Sequence, residues 1–161
     1  IGKFGLDLGT GYIGAELLGG IAGATLVWLA YLPHWKETEE QDVKLGVFCT
    51  APAIRNTPTN LITEIIGTFM LVFGILGLGT VTMADGVGTL ATGLLILVIG
   101  LSLGAPTGYA INPARDLGPR IAHAILPIPG KGGNDWGYSW IPVIGPIIGG
   151  LLGAGLFQLV F

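Results

Sequence analysis

The chain has 161 residues, 51% hydrophobic and 11% charged, with a mean hydropathy of +0.74. Water-soluble domains carry about a quarter charged residues, so that class is excluded. The net charge of −3, with no basic run, points away from nucleic acid, and one cysteine, Cys49, leaves neither an internal disulfide nor a cysteine-based metal site.

Charge is clustered. Seven of the 17 charged residues lie between Lys36 and Arg55. Four stretches carry none: Leu17 to Trp35, Ile65 to Ala84, Gly86 to Ala114, and Trp136 to Phe161. Each is near or above the roughly 20 residues that cross a bilayer as a helix. An all-α integral membrane protein with about four spans and a single membrane domain over 1–161 is the expected class. Ile1-Gly2-Lys3, without a starting Met, reads as the middle of a longer protein.

Residues 1–10 read as a polar-to-apolar lead. The first span is expected over 11–32, ending near Pro33-His34-Trp35, where Trp suits the interface. A charged loop follows over 34–57. Its three basic and four acidic residues leave the positive-inside rule silent. The second span is expected over 59–81, opened by Pro58 and Thr59, and Asp85-Gly86 signals a turn. The third is expected over 89–105, stopped by Ala105-Pro106.

Residues 106–111, Pro-Thr-Gly-Tyr-Ala-Ile, make a poor helix yet are apolar enough to stay at membrane depth. Irregular backbone is tolerated there only when buried in protein or lining a cavity. Asn is a preferred N-cap and Pro a preferred first helical residue, so a half-helix is expected from Pro113 to about His123. Pro119 should bend it. The whole segment 106–123 reads as re-entrant. A Pro/Gly-rich exposed loop covers 126–137, and the last span is expected over 138–160. The runs Gly19 to Ala24 and Gly145 to Gly150 read as close helix-packing faces.

Four polar residues in this apolar setting are candidate functional groups. Asn112 either caps the half-helix or points its amide into a pore. Arg115, one turn into the half-helix, is either a buried tie or a pore-lining donor. Asp116 suits the positive end of the helix dipole, and as a helical neighbour of Arg115 it is poorly placed to pair with it. Glu64, in mid-span, is either a neutral packed carboxyl or a strut accepting from the unpaired amides of 106–111. No nucleophile–base set or metal-ligand cluster is visible, so neither an enzyme nor a bound cofactor is expected.

The run Gly104-Ala105-Pro106-Thr107-Gly108-Tyr109-Ala110-Ile111-Asn112-Pro113-Ala114-Arg115-Asp116-Leu117-Gly118-Pro119-Arg120 resembles the second Asn-Pro-Ala region of the aquaporin superfamily. The Asp after the Arg resembles the glycerol-conducting branch, the aquaglyceroporins, which includes the glycerol facilitators. The resemblance covers essentially the whole chain. It implies an aquaporin-like helical bundle in which these spans are the third to sixth helices and Glu64 is the buried glutamate of the fourth.

By the same resemblance, Asn112 is a central pore asparagine, supported by Pro113, Ala114 and Asp116. Arg115 is the filter arginine, Tyr109 the filter aromatic, and Gly100 the fifth-helix filter position, its missing side chain leaving room for a polyol. Pro142-Val143 also matches the glycerol branch. The family has six spans and two Asn-Pro-Ala loops, whereas this chain holds one loop and looks like the C-terminal two-thirds. The implied activity is passive passage of glycerol, other small uncharged solutes and some water. The implied setting is a multi-pass protein of the cell membrane, homotetrameric in the intact parent. An energy-coupled transporter and a non-conducting structural protein of the same fold are the alternatives.

Overall fold

The computed structural model describes residues 5–161. Among these, all regular structure is helical: α1 (Leu6–Ala30), α2 (His34–Glu37), α3 (Gln41–Gly46), α4 (Thr57–Leu78), α5 (Val87–Leu103), α6 (Pro113–Ile125) and α7 (Ile141–Val160). Among the described residues, three helical stretches are long and apolar enough to cross a bilayer: Leu8–Ala30, Thr57–Leu78 and Ile141–Val160. The 17 residues of α5 sit at the short end of the spanning range.

The expected lead over 1–10 lies partly outside the described residues. Its described part differs, because α1 already begins at Leu6. Nothing in Leu6-Asp7-Leu8-Gly9-Thr10 forces a break, and glycine is common in membrane helices. The expected loop over 34–57 also differs, since α2 and α3 occupy much of it.

The chain divides into two compact units. The first comprises residues 1–49 and 114–139. Its apolar core gathers Ala24, Trp35, Phe48, Ala122 and Ile128, with Ile21, Trp28 and Leu126 packed around them. Trp35, expected at the interface, is buried, and its indole N–H donates to the Trp28 carbonyl at 2.9 Å. Aromatic burial against Phe48 outweighs the interfacial preference of Trp. Helices α1 and α6 meet backbone to backbone. A Cβ on Gly118 would lie 2.9 Å from the Leu17 carbonyl oxygen, and one on Gly20 3.1 Å from that of Ala114. Gly19 and Gly23 take no part in that contact, so the expected face narrows to Gly20.

The second unit comprises 50–113 and 140–161. Here α4 packs along α7 at Gly145, Gly149 and Gly153. A Cβ on Gly145 would lie 2.6 Å from the Glu64 Cβ, and one on Gly153 2.7 Å from the Phe69 carbonyl oxygen. Small residues give van der Waals contact between helices where lipid provides no hydrophobic drive. Asn56 opens α4 by accepting from the Thr59 amide at 3.3 Å. Gly86, at φ 82, makes the turn into α5.

Candidate pore-forming site

Residues 104–112 leave helical geometry between α5 and α6. The path is sharply irregular: Gly108 has φ 78, Tyr109 φ 41 and Ile111 φ 44. Left-handed backbone is unfavourable for a β-branched residue such as Ile111 and persists only where surroundings hold it.

Glu64 does the holding. Its Oε1 accepts from the Ala110 amide at 3.0 Å and its Oε2 from the Ile111 amide at 2.9 Å. The carboxyl is buried, at 1% exposure, in the middle of α4. Two convergent amides satisfy both oxygens, as a buried acceptor requires. The Ala53 amide donates to the Pro106 carbonyl at 3.0 Å and ties down the start of the segment. Thr107 is fully buried, and its hydroxyl has no hydrogen-bond partner among the described residues.

Tyr109 turns its ring onto α5. A Cβ at Gly100 would lie 3.1–3.4 Å from three of its ring carbons, and one at Gly104 2.7 Å from its Cδ1. The missing side chain at Gly100 gives the Tyr109 ring its room against α5. Tyr109 remains about a third exposed, at 36%. A groove continues from that ring down one face of α5, lined by Gly93, Ile96, Leu97 and Leu101, then by Gly88, Thr89 and Thr92. Sequence reading passed over Ile96 and Thr92. Successive steps of four back from Gly100, to Ile96 and then Thr92, were the available signal, since such residues share a helix face.

Asn112 immediately precedes Pro113, the first residue of α6, and is half-buried. Arg115, third in the helix, is exposed. Asp116 and Arg120 face inward in the first unit, both fully buried. Arg120 Nε donates to Asp116 Oδ1 at 2.8 Å and Nη2 to Oδ2 at 3.0 Å. Its Nη1 donates to the carbonyls of Asn134 and Asp135, at 2.8 and 3.1 Å. Sequence reading missed Arg120 as the partner of Asp116, although i,i+4 spacing on a helix is the usual sign of such a pair. Pro119 lies within α6 without ending it.

The far end of α6 is closed by a lysine. Lys131 Nζ donates to the carbonyls of His123, Ala124 and Leu126 at 2.6, 2.9 and 2.6 Å. A cation is favourable at the negative end of a helix. Outside the helices, Cys49 is 2% exposed, and desolvation pushes its thiol up to about 12.

Residues 1–157 match the family described as "Major intrinsic protein". A relative from Thermotoga maritima, described as a "Probable glycerol uptake facilitator protein", is 61% identical over 161 residues, covering 100% of this chain and 69% of its own length. The glycerol uptake facilitator protein of Bacillus subtilis is 55% identical over 150 residues, covering 93% of this chain and 55% of its own length. The X-ray structure of the aquaglyceroporin from Plasmodium falciparum superposes with a TM-score of 0.78 at 26% identity, covering 98% of this chain and 66% of that one. The chain thus spans roughly half to two-thirds of the length of these proteins. Its fold is the aquaporin-like all-α fold of a multi-pass membrane protein, and the chain belongs to the major intrinsic protein family.

Proposed function

We propose that this chain forms the larger part of a passive cell-membrane channel for glycerol and similar small uncharged solutes, with some water permeation. The observation that carries the reading is the Glu64 clamp on Ala110 and Ile111. Those two amides are spent on Glu64, and in this reading the carbonyls of the same segment that keep accessible surface, beside Gly108 and Tyr109, serve as fixed acceptors for a polyol. Names of relatives such as the Bacillus subtilis glycerol uptake facilitator agree with that use.

In this reading Asn112 and Arg115 donate to passing hydroxyls. Tyr109 and the α5 face through Ile96 offer the apolar side that the carbons of a polyol require. Pro113, Ala114 and Asp116 shape the helix start. The charge of Arg115 and the positive end of α6 oppose protons and cations. The membrane domain extends over the whole chain, 106–123 is the re-entrant segment, and the parent is a homotetramer in the lipid bilayer. No covalent chemistry and no cofactor is required, so the protein is not an enzyme.

The test is glycerol uptake by the intact parent in proteoliposomes, with and without ionophores that collapse ion gradients. Uptake that is fast, non-saturating and indifferent to ionophore is the expected result. Uptake that stops when gradients collapse would instead mark an energy-coupled transporter. No uptake by folded protein would mark a non-conducting relative.

A further inference from the structure

His123 lies near the end of α6, outside the four apolar spans, and is fully buried. Its Nδ1 is 2.7 Å from the Asn134 side-chain oxygen. That oxygen only accepts, so Nδ1 carries the hydrogen and Nε2 is the basic lone pair. Nε2 is buried without a hydrogen-bond partner among the described residues. The ring stands edge-on to Phe48, with centroids 5.2 Å apart.

The charged groups around it do not welcome a proton. On its own helix, Arg120 is one turn away, and Asp116 is already engaged by that arginine. From the loop over 126–139, Lys131 places its ammonium on the His123 carbonyl, and Asp135 gives its backbone carbonyl to Arg120. From the segment after α3, Phe48 contributes only its ring, and the neighbouring Cys49 thiol stays protonated.

We infer that His123 and Asn134 form an acid-sensitive latch that fastens the loop over 126–139 to the far end of α6 and keeps the channel conductive at neutral pH. The inference rests on the channel reading above. Protonation would bury an Nε2–H with no acceptor beside two cations. An unsatisfied buried donor carries its full desolvation cost, and like charges add to it. Burial first, then Lys131 and Arg120, hold the imidazole below its ordinary value of 6.5, against the bond to Asn134. A lowered value means that the released state binds the proton more readily. The latch is therefore fully present above 6.5 and is lost as pH falls toward the folded value. Arg115 stands near the start of the same helix; with the His123–Asn134 contact gone, the loop is tied to α6 through Lys131 and Arg120, and the helix that carries the filter donor is held less firmly.

The test compares the intact parent with His123→Gln and Asn134→Ala between about pH 7.5 and about pH 5, the interval in which histidine changes charge. Amide exchange over 131–138, corrected for intrinsic rates, should rise by up to about tenfold per pH unit below 6.5 in the parent. Glycerol permeability should fall with the same midpoint. His123→Gln should flatten both curves, and Asn134→Ala should show the loosened loop already at neutral pH. A transition that persists in His123→Gln overturns the latch. So does flat exchange in the parent, or loosening without loss of permeability. A parent that conducts no glycerol at any pH sinks the channel reading instead, while exchange still judges the latch.

Discussion

Glu64 and Ile111, 47 residues apart, share a hydrogen bond of 2.9 Å that holds a β-branched residue at φ 44. Left-handed backbone at such a residue costs about 1–3 kcal/mol. A hydrogen bond to a carboxylate contributes about 1.5–3 kcal/mol, and Glu64 makes two. The clamp therefore outweighs the strain it imposes.

Replacing Glu64 by Gln turns one acceptor into a donor facing an amide. A loss of about 1.5–3 kcal/mol is expected, read as a lower melting midpoint of the detergent-solubilised parent. Correctly assembled Glu64→Gln protein of unchanged stability and glycerol flux would remove the clamp from the account.

At Gly100 the expected effect runs through a neighbour. An added methyl sits 3.1 Å from the Tyr109 Cζ, so the ring must shift by some tenths of an ångström. Gly100→Ala should lower glycerol flux more than water flux, measured by stopped-flow light scattering. In a Tyr109→Ala background the same substitution should have little effect, because the atoms it crowds are gone. Additive losses in the two backgrounds would contradict the coupling.

Arg115 places a positive charge in the first turn of α6. Arg115→Val should keep glycerol passage measurable and admit protons. Glycerol uptake and proton conductance belong in the same vesicles. A variant that passes glycerol without a proton leak would shift exclusion to the helix end and Asn112.

Arg120→Met leaves the Asp116 carboxylate buried without its bidentate partner. Breaking such a pair costs about 3–5 kcal/mol. The double variant Asp116→Asn with Arg120→Met should recover part of that loss, because no lone charge stays buried. Equal melting midpoints for single and double variants would argue that the pair is not the source of the loss.

Cys49 should resist thiol reagents. Its value of about 12 keeps the thiol protonated throughout the neutral range, and burial blocks access. Maleimide should label it only after denaturation. Rapid labelling of the folded parent would show that the segment around Phe48 opens.

Much of this was legible in the sequence because the physical rules involved are local. Pro113 after Asn112 specifies a helix start whatever surrounds it, and a charge-free run specifies an apolar helix. Glu64 was legible as a strut because an acid in mid-span needs donors and 106–111 has spare ones. What stayed hidden depended on contacts between distant residues. The Tyr109 ring over Gly100 arises from the backbone path through Gly108, at φ 78. The burial of Trp35 depends on Phe48 folding back onto it. The latch at His123 needs Asn134, which a turn-rich stretch gives no reason to single out.

The helices of the second unit differ in length, and a bilayer feels the difference. At 1.5 Å per residue, the 22 residues of α4 reach about 33 Å and the 17 of α5 about 26 Å, against a hydrocarbon core of about 30 Å. A short helix is accommodated by local thinning of the lipid. One end of α5 is fixed by the turn at Gly86, while the other gives way to the irregular segment from 104. A dimple at that end would bring water inward toward the irregular segment beside Tyr109. The distance a solute travels without its hydration shell is then set by where α5 stops, and the thickness of the membrane matters less.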